Sequence, residues 1–287
     1  MNMATSKNKI VEVLATAGIV AKSHGHTGKY AKHYIALSIK QSKGGISDRE
    51  LADFLMTDEI GRILGYKRKF SYTIFPKVMS KPDTDQIMKE IYTILISDVM
   101  RGRQVTLLAQ DSTDISAYSK KDKDARYGHR TPSKKEQIAT KSTEKSFVFG
   151  YKLHVDANAE TEIPLAVEVA PANRHDKVFF HRLYDRVKAL FRMGFGAKFL
   201  ADAAYDATDV YQELHYDNVK AVIAINGRGF YRSKIPKDKD YGKRWAVERI
   251  FSRLKELFGL AKNRFISIKK VAVHVFACLI AYWMRYA

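Results

Sequence analysis

The chain has 287 residues, of which 46% are hydrophobic and 28% are charged, and this is the composition of a folded globular protein. Its net charge of +19, from 50 lysines and arginines against 31 acidic residues, favours a polyanionic partner such as nucleic acid. The single cysteine, Cys278, excludes a disulfide framework and fits a reducing compartment. The longest apolar run, residues 271–284, is too short to cross a bilayer, and residues 1–10 lack the apolar core of a signal peptide. We therefore expect a cytoplasmic protein with no membrane partner.

Helical signals dominate the N-terminal third of the chain. Ser47 and Glu50 stand three residues apart in front of an apolar helical pattern, which is the spacing of a capping box. Residues 57–63 predict a second short helix that Gly65 ends, and residues 83–100 predict a longer helix with its apolar side chains on one face. Short helices joined by tight turns are typical of helix-turn-helix domains.

Two parts of this region are ambiguous. Residues 1–36 mix helical and loop signals, and Pro76 either breaks residues 72–79 or opens a short helix there. We expect residues 1–100 to form an all-helical domain. Two alternatives remain open for its role, namely recognition of specific DNA ends, and dimerisation or packing without DNA contact.

The pattern changes after Gly102, where strand-like segments alternate with helical ones. Strands are predicted at residues 105–108, 147–155, 163–169, 197–201 and 219–225, and helices at residues 176–191, 208–216, 241–255 and 268–286. Three strands followed by helix, strand, helix and strand are typical of an α/β mixed sheet covered by helices. We therefore expect one α/β domain over residues 101–287.

Two of the predicted apolar strands lead into aspartates. Asp111 follows the first strand, and Asp202 follows the strand at residues 197–201. Because ligands collect at strand ends in such sheets, these two carboxylates are candidates for one site. Asp114 and Asp206 are the competing residues, and the shorter distance from each strand end favours the first pair.

Residues 241–255 predict a helix with two distinct faces. Tyr241, Arg244, Glu248 and Lys255 fall on one face at about 100° per residue, and the apolar residues fall on another. Glu248 and Lys255 lie about 10 Å apart along the axis, so the lysine can hold a second point of an extended anion. An ordinary amphipathic helix with a solvated charged face is the competing interpretation.

Asp111, Asp202 and Glu248 are together candidates for a metal site. Three carboxylates repel one another, and burying them is costly unless a cation compensates their charge. Mg²⁺ prefers oxygen ligands, and two ions about 3.5–4 Å apart can activate an attacking oxygen and stabilise a leaving oxygen in phosphoryl transfer. We therefore expect two Mg²⁺ ions, for which Mn²⁺ can substitute.

The spacing Tyr241-x2-Arg244-x3-Glu248-x6-Lys255 resembles the Y-R-E-K signature of DDE transposases from prokaryotic insertion sequences. The resemblance covers about residues 100–287 and, more loosely, the helices before them. Further matching segments are Asp111-Ser112-Thr113, Asn173-x-His175-Asp176 and Asp202-x-x-Tyr205-Asp206. The resemblance implies a ribonuclease H-like fold, in agreement with the predicted order of strands.

The resemblance also implies a role for each residue. The three carboxylates would form the catalytic, metal-binding triad, while Tyr241, Arg244 and Lys255 would contact DNA near the cleaved end. The enzyme would cut double-stranded DNA at element ends and join the freed 3′-hydroxyl to target DNA, acting as a dimer in the nucleoid. The alternatives are a domesticated, inactive relative that only binds DNA, and a metal-dependent nuclease without strand transfer.

Two basic segments flank the proposed site in sequence. Residues 119–152 contain ten lysines and arginines against four acids, and residues 226–255 contain ten against three. Such clustering indicates a track for the DNA backbone, although solvated loops are also rich in lysine. Asp176 is expected to begin a helix, and Trp245 either stacks on an unpaired base or packs in the protein.

Overall fold

The computed structural model describes residues 3–26, 28–130, 146–227 and 234–287. The chain forms two compact units. The first comprises Met1–Gly102, Phe251–Lys262 and Lys269–Ala287, and the second comprises Arg103–Ile250 and Asn263–Ile268. The functional division into residues 1–100 and 101–287 stays a prediction, and the compact units add two C-terminal segments to the first part.

The regular elements follow the predicted alternation. The helices are α1 (Met3–Ser23), α2 (Ala31–Ser42), α3 (Asp48–Thr57), α4 (Glu59–Ile63), α5 (Ile74–Met79), α6 (Thr84–Met100), α7 (Phe180–Leu190), α8 (Thr208–Tyr216), α9 (Trp245–Glu256) and α10 (Ile268–Tyr286). The strands are β1 (Gln104–Ser116), β2 (Arg126–Arg130), β3 (Ser146–Asn158), β4 (Ile163–Pro171), β5 (Arg192–Ala201) and β6 (Lys220–Ile223). None of the helices in the described ranges is long and apolar enough to cross a membrane.

Local capping explains where α3 and α4 begin. The Ser47 hydroxyl accepts a hydrogen bond from the Glu50 N–H (3.2 Å), and the Glu50 carboxylate accepts one from the Ser47 N–H (2.7 Å). These two bonds confirm the predicted capping box. Asp58 rather than Thr57 caps α4, because the Thr57 hydroxyl donates back to the carbonyl oxygen of Asp53.

The ambiguous N-terminal segments are helical. Residues 3–23 form α1 and residues 31–36 begin α2. Pro76 lies in the first turn of α5, where its missing N–H leaves no intrahelical hydrogen bond unmade, so it opens this helix rather than breaking it. The core of the first unit includes α6 and α10, whose Tyr92 and Phe276 rings lie 6.2 Å apart. Helix α10 is buried along most of its length.

In the described part of the chain, the second unit is built on a six-stranded mixed sheet. Strand β3 pairs with β1 on one edge and with β4 and β2 on the other, and all three pairings are antiparallel. Beyond β1 the sheet continues with β5 and then β6, which run parallel to β1. Helix α7 packs on β3 and β4 through its buried apolar face. The predicted fold class of a mixed sheet flanked by helices, with an N-terminal all-helical region, is confirmed.

Strand β1 is longer than its apolar run. It continues through Asp111 to Ser116, because its polar second half also pairs with β3. Asp111 therefore lies inside a strand, opposite Val155, and not beyond a strand end as expected. The parallel pairing with β5 stops at Ala109 and Leu200, so Asp111 does lie past the last paired residues on that side.

Candidate active site

Asp111 on β1 and Asp202, just after the neighbouring strand β5, lie at the same level of the sheet. Ala109 pairs with Leu200 in the parallel β1–β5 ladder, and two further residues lead to Asp111 on β1 and to Asp202 just after β5. Neighbouring strands lie about 4.8 Å apart, so the register brings the two carboxylates to one place. This placement agrees with the convergence expected of strand-end residues.

Arg244 joins Glu248 to this pair. Its guanidinium donates to the Asp111 carboxylate (Nη1 to Oδ2, 3.3 Å) and forms an ion pair with Glu248 (Nη2 to Oε1, 3.0 Å). Arg244 ends a 3-10 turn, Tyr241–Arg244, and Glu248 lies in the first turn of α9. The helix predicted over residues 241–255 is thus a 3-10 turn followed by an α-helix, and its arginine lies between two of the candidate acids.

The site carries more negative charge than Arg244 neutralises. Burial, followed by the Asp202 carboxylate, raises the pKa of Asp111 to about 7, while the Ser112 N–H and the Arg244 guanidinium oppose that shift. Glu248 adds to the repulsion. Although burial acts against it, the carboxylates of Asp111 and Glu248 hold the pKa of Arg244 above its usual value. Three acids against one arginine leave a site that favours a further cation.

Two lysines position the turn that carries Arg244. Lys198 on β5 binds Asp238 (2.9 Å) and Asp240 (2.7 Å), and Lys220 on β6 also binds Asp238 (2.7 Å). The hydrogen bonds from Lys220 and Lys198 hold the pKa of Asp238 well below its usual range. Asp240 immediately precedes the 3-10 turn, so these ion pairs fasten that turn to the sheet beside the acids.

A second polar cluster supports Asp111 from the neighbouring residue of β1. The Ser112 N–H donates to Asp111 Oδ1 (2.8 Å), and the Ser112 hydroxyl donates to Asp176 Oδ1 (2.8 Å). Lys152 on β3 donates to both oxygens of Asp176 (3.0 and 3.3 Å). Asp176 opens the 3-10 turn before α7, as predicted, but its side chain bonds across the sheet. Lys152 is not among the predicted residues, although strand alternation places it on the same face as Ser112.

The competing aspartates lie elsewhere. Asp114 comes three residues after Asp111 on β1, so alternation turns it to the opposite face of the sheet. Asp206 accepts hydrogen bonds from the Tyr211 hydroxyl (3.0 Å) and from the Asn226 N–H (2.8 Å), which is a structural role. These positions favour the predicted pair of aspartates over their neighbours.

The remaining signature residues are less closely involved with the acids. The Tyr241 ring lies 5.9 Å from the guanidinium carbon of Arg244. Lys255 lies in the last turn of α9, in the part of the chain that belongs to the first compact unit. Trp245 is 58% exposed, which argues against the alternative that it packs in the core. Parts of the two basic segments, namely residues 131–145 of the first and residues 228–233 of the second, lie outside the described residues.

The donor set fits a hard divalent cation. Asp111, Asp202 and Glu248 offer only carboxylate oxygens, and Mg²⁺ binds proteins through one or two carboxylates while it keeps several waters. Asp111 and Asp202 would hold such an ion, because Glu248 is paired with Arg244. Within the described ranges, no three His, Cys, Asp or Glu side chains lie close enough together to hold a metal ion as they stand.

Comparison with known protein families matches residues 103–284 to the family described as transposase DDE domain. The match covers more than half of the chain and includes the acids and Arg244. The chain belongs to this family. Transposases of the DDE family generally use divalent metal ions, in agreement with the donor set.

No curated protein matches the chain. Among solved structures, the piggyBac transposase synaptic complex with hairpin DNA is similar to it, with a TM-score of 0.40 and 10% sequence identity over 89% of this chain. The chain covers 66% of the length of that relative. Membership in the DDE family therefore rests on the family match.

Proposed function

We propose that the protein is a transposase that cuts DNA at the ends of an insertion sequence and joins the freed 3′-hydroxyl to target DNA. The observation that carries this proposal is that Arg244 bridges Asp111 and Glu248, with the Asp202 carboxylate close enough to raise the pKa of Asp111, in a member of the DDE family. Double-stranded DNA, as element end and as target, would be its partner in the nucleoid. Pairing two ends calls for at least a dimer.

Each residue has a chemical role in this proposal. Asp111 and Asp202 would hold the divalent ions, with Glu248 as a third ligand once its ion pair with Arg244 opens, and the ions would activate the attacking oxygen and stabilise the leaving oxygen. Without DNA, the planar guanidinium of Arg244 holds Asp111 and Glu248. With DNA bound, the same guanidinium would donate to a phosphate oxygen. Tyr241 and Lys255 place the DNA near the cleaved end. No covalent bond to the protein is needed, because water and then the 3′-hydroxyl are the nucleophiles.

The helical part of the chain offers a separate place for DNA. A cavity of about 560 Å³ lies along the segment that joins α4 to α5. Among the described residues, its lining contains no acid and five cations, namely Lys32, Lys67, Arg68, Lys69 and Lys77. Unneutralised cations around a concave surface attract phosphates and release counterions when they bind them. The cavity therefore favours the interpretation of residues 1–100 as a DNA-end-binding domain.

Metal-dependent nicking of a labelled duplex tests the catalytic part of the proposal. Asp111→Asn, Asp202→Asn and Glu248→Gln are each expected to lower the cleavage rate about a hundredfold or more, because each removes a charged group that acts on the transition state. DNA binding should change little in all three. Asp114→Asn, on the opposite face of β1, is the matched control and should cleave normally. Full cleavage by any of the three variants would remove that residue from the site.

The two alternatives give different results in the same assay. A relative that only binds DNA would bind the duplex without nicking it in either Mg²⁺ or Mn²⁺. Three clustered carboxylates argue against this alternative, because they repel the phosphates that a binding protein must hold. A nuclease without strand transfer would nick the duplex but would not join pre-nicked ends to a target plasmid.

A further inference from the structure

A row of exposed aromatic side chains lies on the antiparallel pair β2–β3. Tyr127 pairs with Phe149, and His129 pairs with Phe147. The ring centroids are 4.9 Å apart in the first pair and 4.7 Å apart in the second. Tyr127 is 59% exposed and Phe147 is 62% exposed. These four side chains, which we name the aromatic strip, lie side by side on one face of the strand pair, with Tyr127, His129 and Phe147 exposed and Phe149 half-buried.

The aromatic strip takes no part in the core of the sheet. Strand β1 stops pairing with β3 at Gly150, so the four rings lie beyond the end of β1. On the same face of β3, Tyr151 and Leu153 are fully buried, and the change from buried to exposed side chains coincides with the end of β1. Contiguous exposed apolar groups of this kind mark a place where something binds.

The aromatic strip lies on the same face of the sheet as the candidate catalytic acid Asp111. Strand alternation places Phe147 and Phe149 on the face of β3 that carries Val155, and Val155 is the residue opposite Asp111. Six residues separate Phe149 from Val155, which is about 20 Å along the strand. That distance is about six nucleotide steps along one strand of DNA.

The segment that leads into β2 presents positive charge to solvent. Its acids are turned inward, because Asp122 accepts hydrogen bonds from the Tyr151 hydroxyl and the Ser267 N–H, and Asp124 accepts one from the Ile268 N–H. Its cations are exposed: Lys120, Lys121, Lys123 and Arg126. The surface beside the aromatic strip therefore complements an anionic ligand that also carries flat, apolar groups.

From these observations we propose that the aromatic strip binds unpaired bases of a DNA strand while the cations of residues 120–126 hold its phosphates. Every base has a face that can stack on an aromatic ring, so such binding tolerates any sequence. Duplex DNA keeps its bases stacked on one another, so the strip distinguishes single-stranded DNA from duplex DNA. This inference rests on the proposed action on DNA and adds the class of DNA that this surface takes.

Fluorescence anisotropy with a labelled single-stranded oligonucleotide, and with the same oligonucleotide in a duplex, tests the proposal. The full chain is used in EDTA, so the result does not depend on whether the acids cleave DNA. The double variant Tyr127→Ala/Phe147→Ala should bind the single strand about tenfold or more weakly and the duplex within about twofold of the unchanged chain. The matched control is Phe195→Ala/Tyr216→Ala, which removes two exposed aromatic rings outside the strip. An unchanged affinity for the single strand, or an equal loss for the duplex, would overturn the proposal.

A second pair of variants separates stacking from general apolar contact. Phe147→Tyr keeps an aromatic face and should bind the single strand normally, whereas Phe147→Leu should bind it more weakly. Equal affinities of the two variants would contradict stacking. Light scattering on the double alanine variant gives a further test. A molar mass half that of the unchanged chain would show that the aromatic strip is an interface between two copies of the chain, and this result would overturn the proposal.

Discussion

Both carboxylate oxygens of Asp111 are held by hydrogen bonds. Oδ2 accepts from the Arg244 guanidinium, and Oδ1 accepts from the Ser112 N–H. The Ser112 hydroxyl is bound in turn to Asp176, whose charge Lys152 balances. A metal ion held by Asp111 requires one orientation of its carboxylate, and a misplacement of a catalytic group by about 1 Å can lower the rate about a hundredfold. We therefore expect Asp176 to position Asp111 through Ser112.

Replacing Asp176 tests this role at the scale of one residue. Asp176→Ala should lower kcat for metal-dependent nicking about tenfold or more, with little change in KM for DNA, because Ser112 loses its anchor and Asp111 its orientation. Steady-state nicking rates over a range of DNA concentrations measure both constants. Asp185→Ala, which removes an exposed acid of α7, is the control. A rise in KM at unchanged kcat would show that Asp176 acts on DNA binding instead.

Among the elements, α4 packs so closely on α3 that no space is left beside Gly61. A Cβ at this position would lie 1.7 Å from the carbonyl oxygen of Leu55. Gly61→Ala should therefore lower the free energy of unfolding by about 1–3 kcal/mol, because the backbone must shift. Gly18→Ala in α1, where nothing lies within 4 Å, should instead raise it by roughly 0.5–1 kcal/mol. Urea denaturation measures both, and equal stabilities of the two variants would contradict the packing described.

The segment between α4 and α5 carries Lys67, Arg68 and Lys69, which line the cavity of about 560 Å³ described above. Replacing all three by alanine should weaken duplex binding and reduce the slope of log K against log salt concentration by up to about 2.7, because each phosphate that the protein no longer neutralises lowers the slope by about 0.9. Anisotropy titrations at several salt concentrations give this slope. Lys22→Ala, which removes an exposed cation in the last turn of α1, should leave the slope unchanged. The same slope in both variants would favour the packing role of residues 1–100.

Periodicity in the sequence was enough to predict most elements, but not their full extent. Apolar side chains at helical spacing located α6, α8 and α10, because burial of one face is what stabilises such helices. The polar second half of β1 has no such pattern, and its strand conformation comes from pairing with β3, which is distant in sequence. The 3-10 turn at Tyr241–Arg244 is likewise set by ion pairs from Lys198 and Lys220 that no local pattern reveals.

For the whole molecule, buried histidines make stability depend on pH. Burial is the largest cause that lowers the pKa of His154 and of His274 to about 4. Between about pH 6.5 and pH 4 the unfolded chain binds protons that the folded chain does not. The contribution of these two histidines to the free energy of unfolding is therefore greatest above that window and falls as the pH drops through it. Each of these histidines contributes at most about 3 kcal/mol to the loss.

His274→Leu should make the stability less sensitive to acid. The variant takes up one proton fewer on unfolding, so the slope of the free energy of unfolding against pH should fall by up to about 1.4 kcal/mol per pH unit within the window. Denaturant titrations at several pH values between about 4 and 6.5 measure the slope. His215→Leu, at an exposed position on α8, serves as the control. An unchanged slope in the first variant would contradict a neutral, buried imidazole.

The predicted members of the site could be found from the sequence for different reasons. Asp202 follows an apolar strand, and the spacing around Glu248 resembles a family signature, so local patterns were sufficient for both. The ion pair between Arg244 and Asp111 joins residues that are 133 positions apart, and only the folded sheet brings them together. The support of Asp111 by Asp176 through Ser112 depends on the same long-range pairing.

The first compact unit contains Met1–Gly102 together with Lys269–Ala287, whereas most of the second is the continuous stretch Arg103–Ile250. During synthesis, the strands of the sheet leave the ribosome before the apolar face of α10 does. Domains made early in translation usually fold first. Here we expect the opposite order, with the sheet completed while helices α1–α6 still lack their last partner. In a nascent chain, the carboxylates carried by the sheet would then be in position before the helical unit, which carries the cation-lined cavity, has folded.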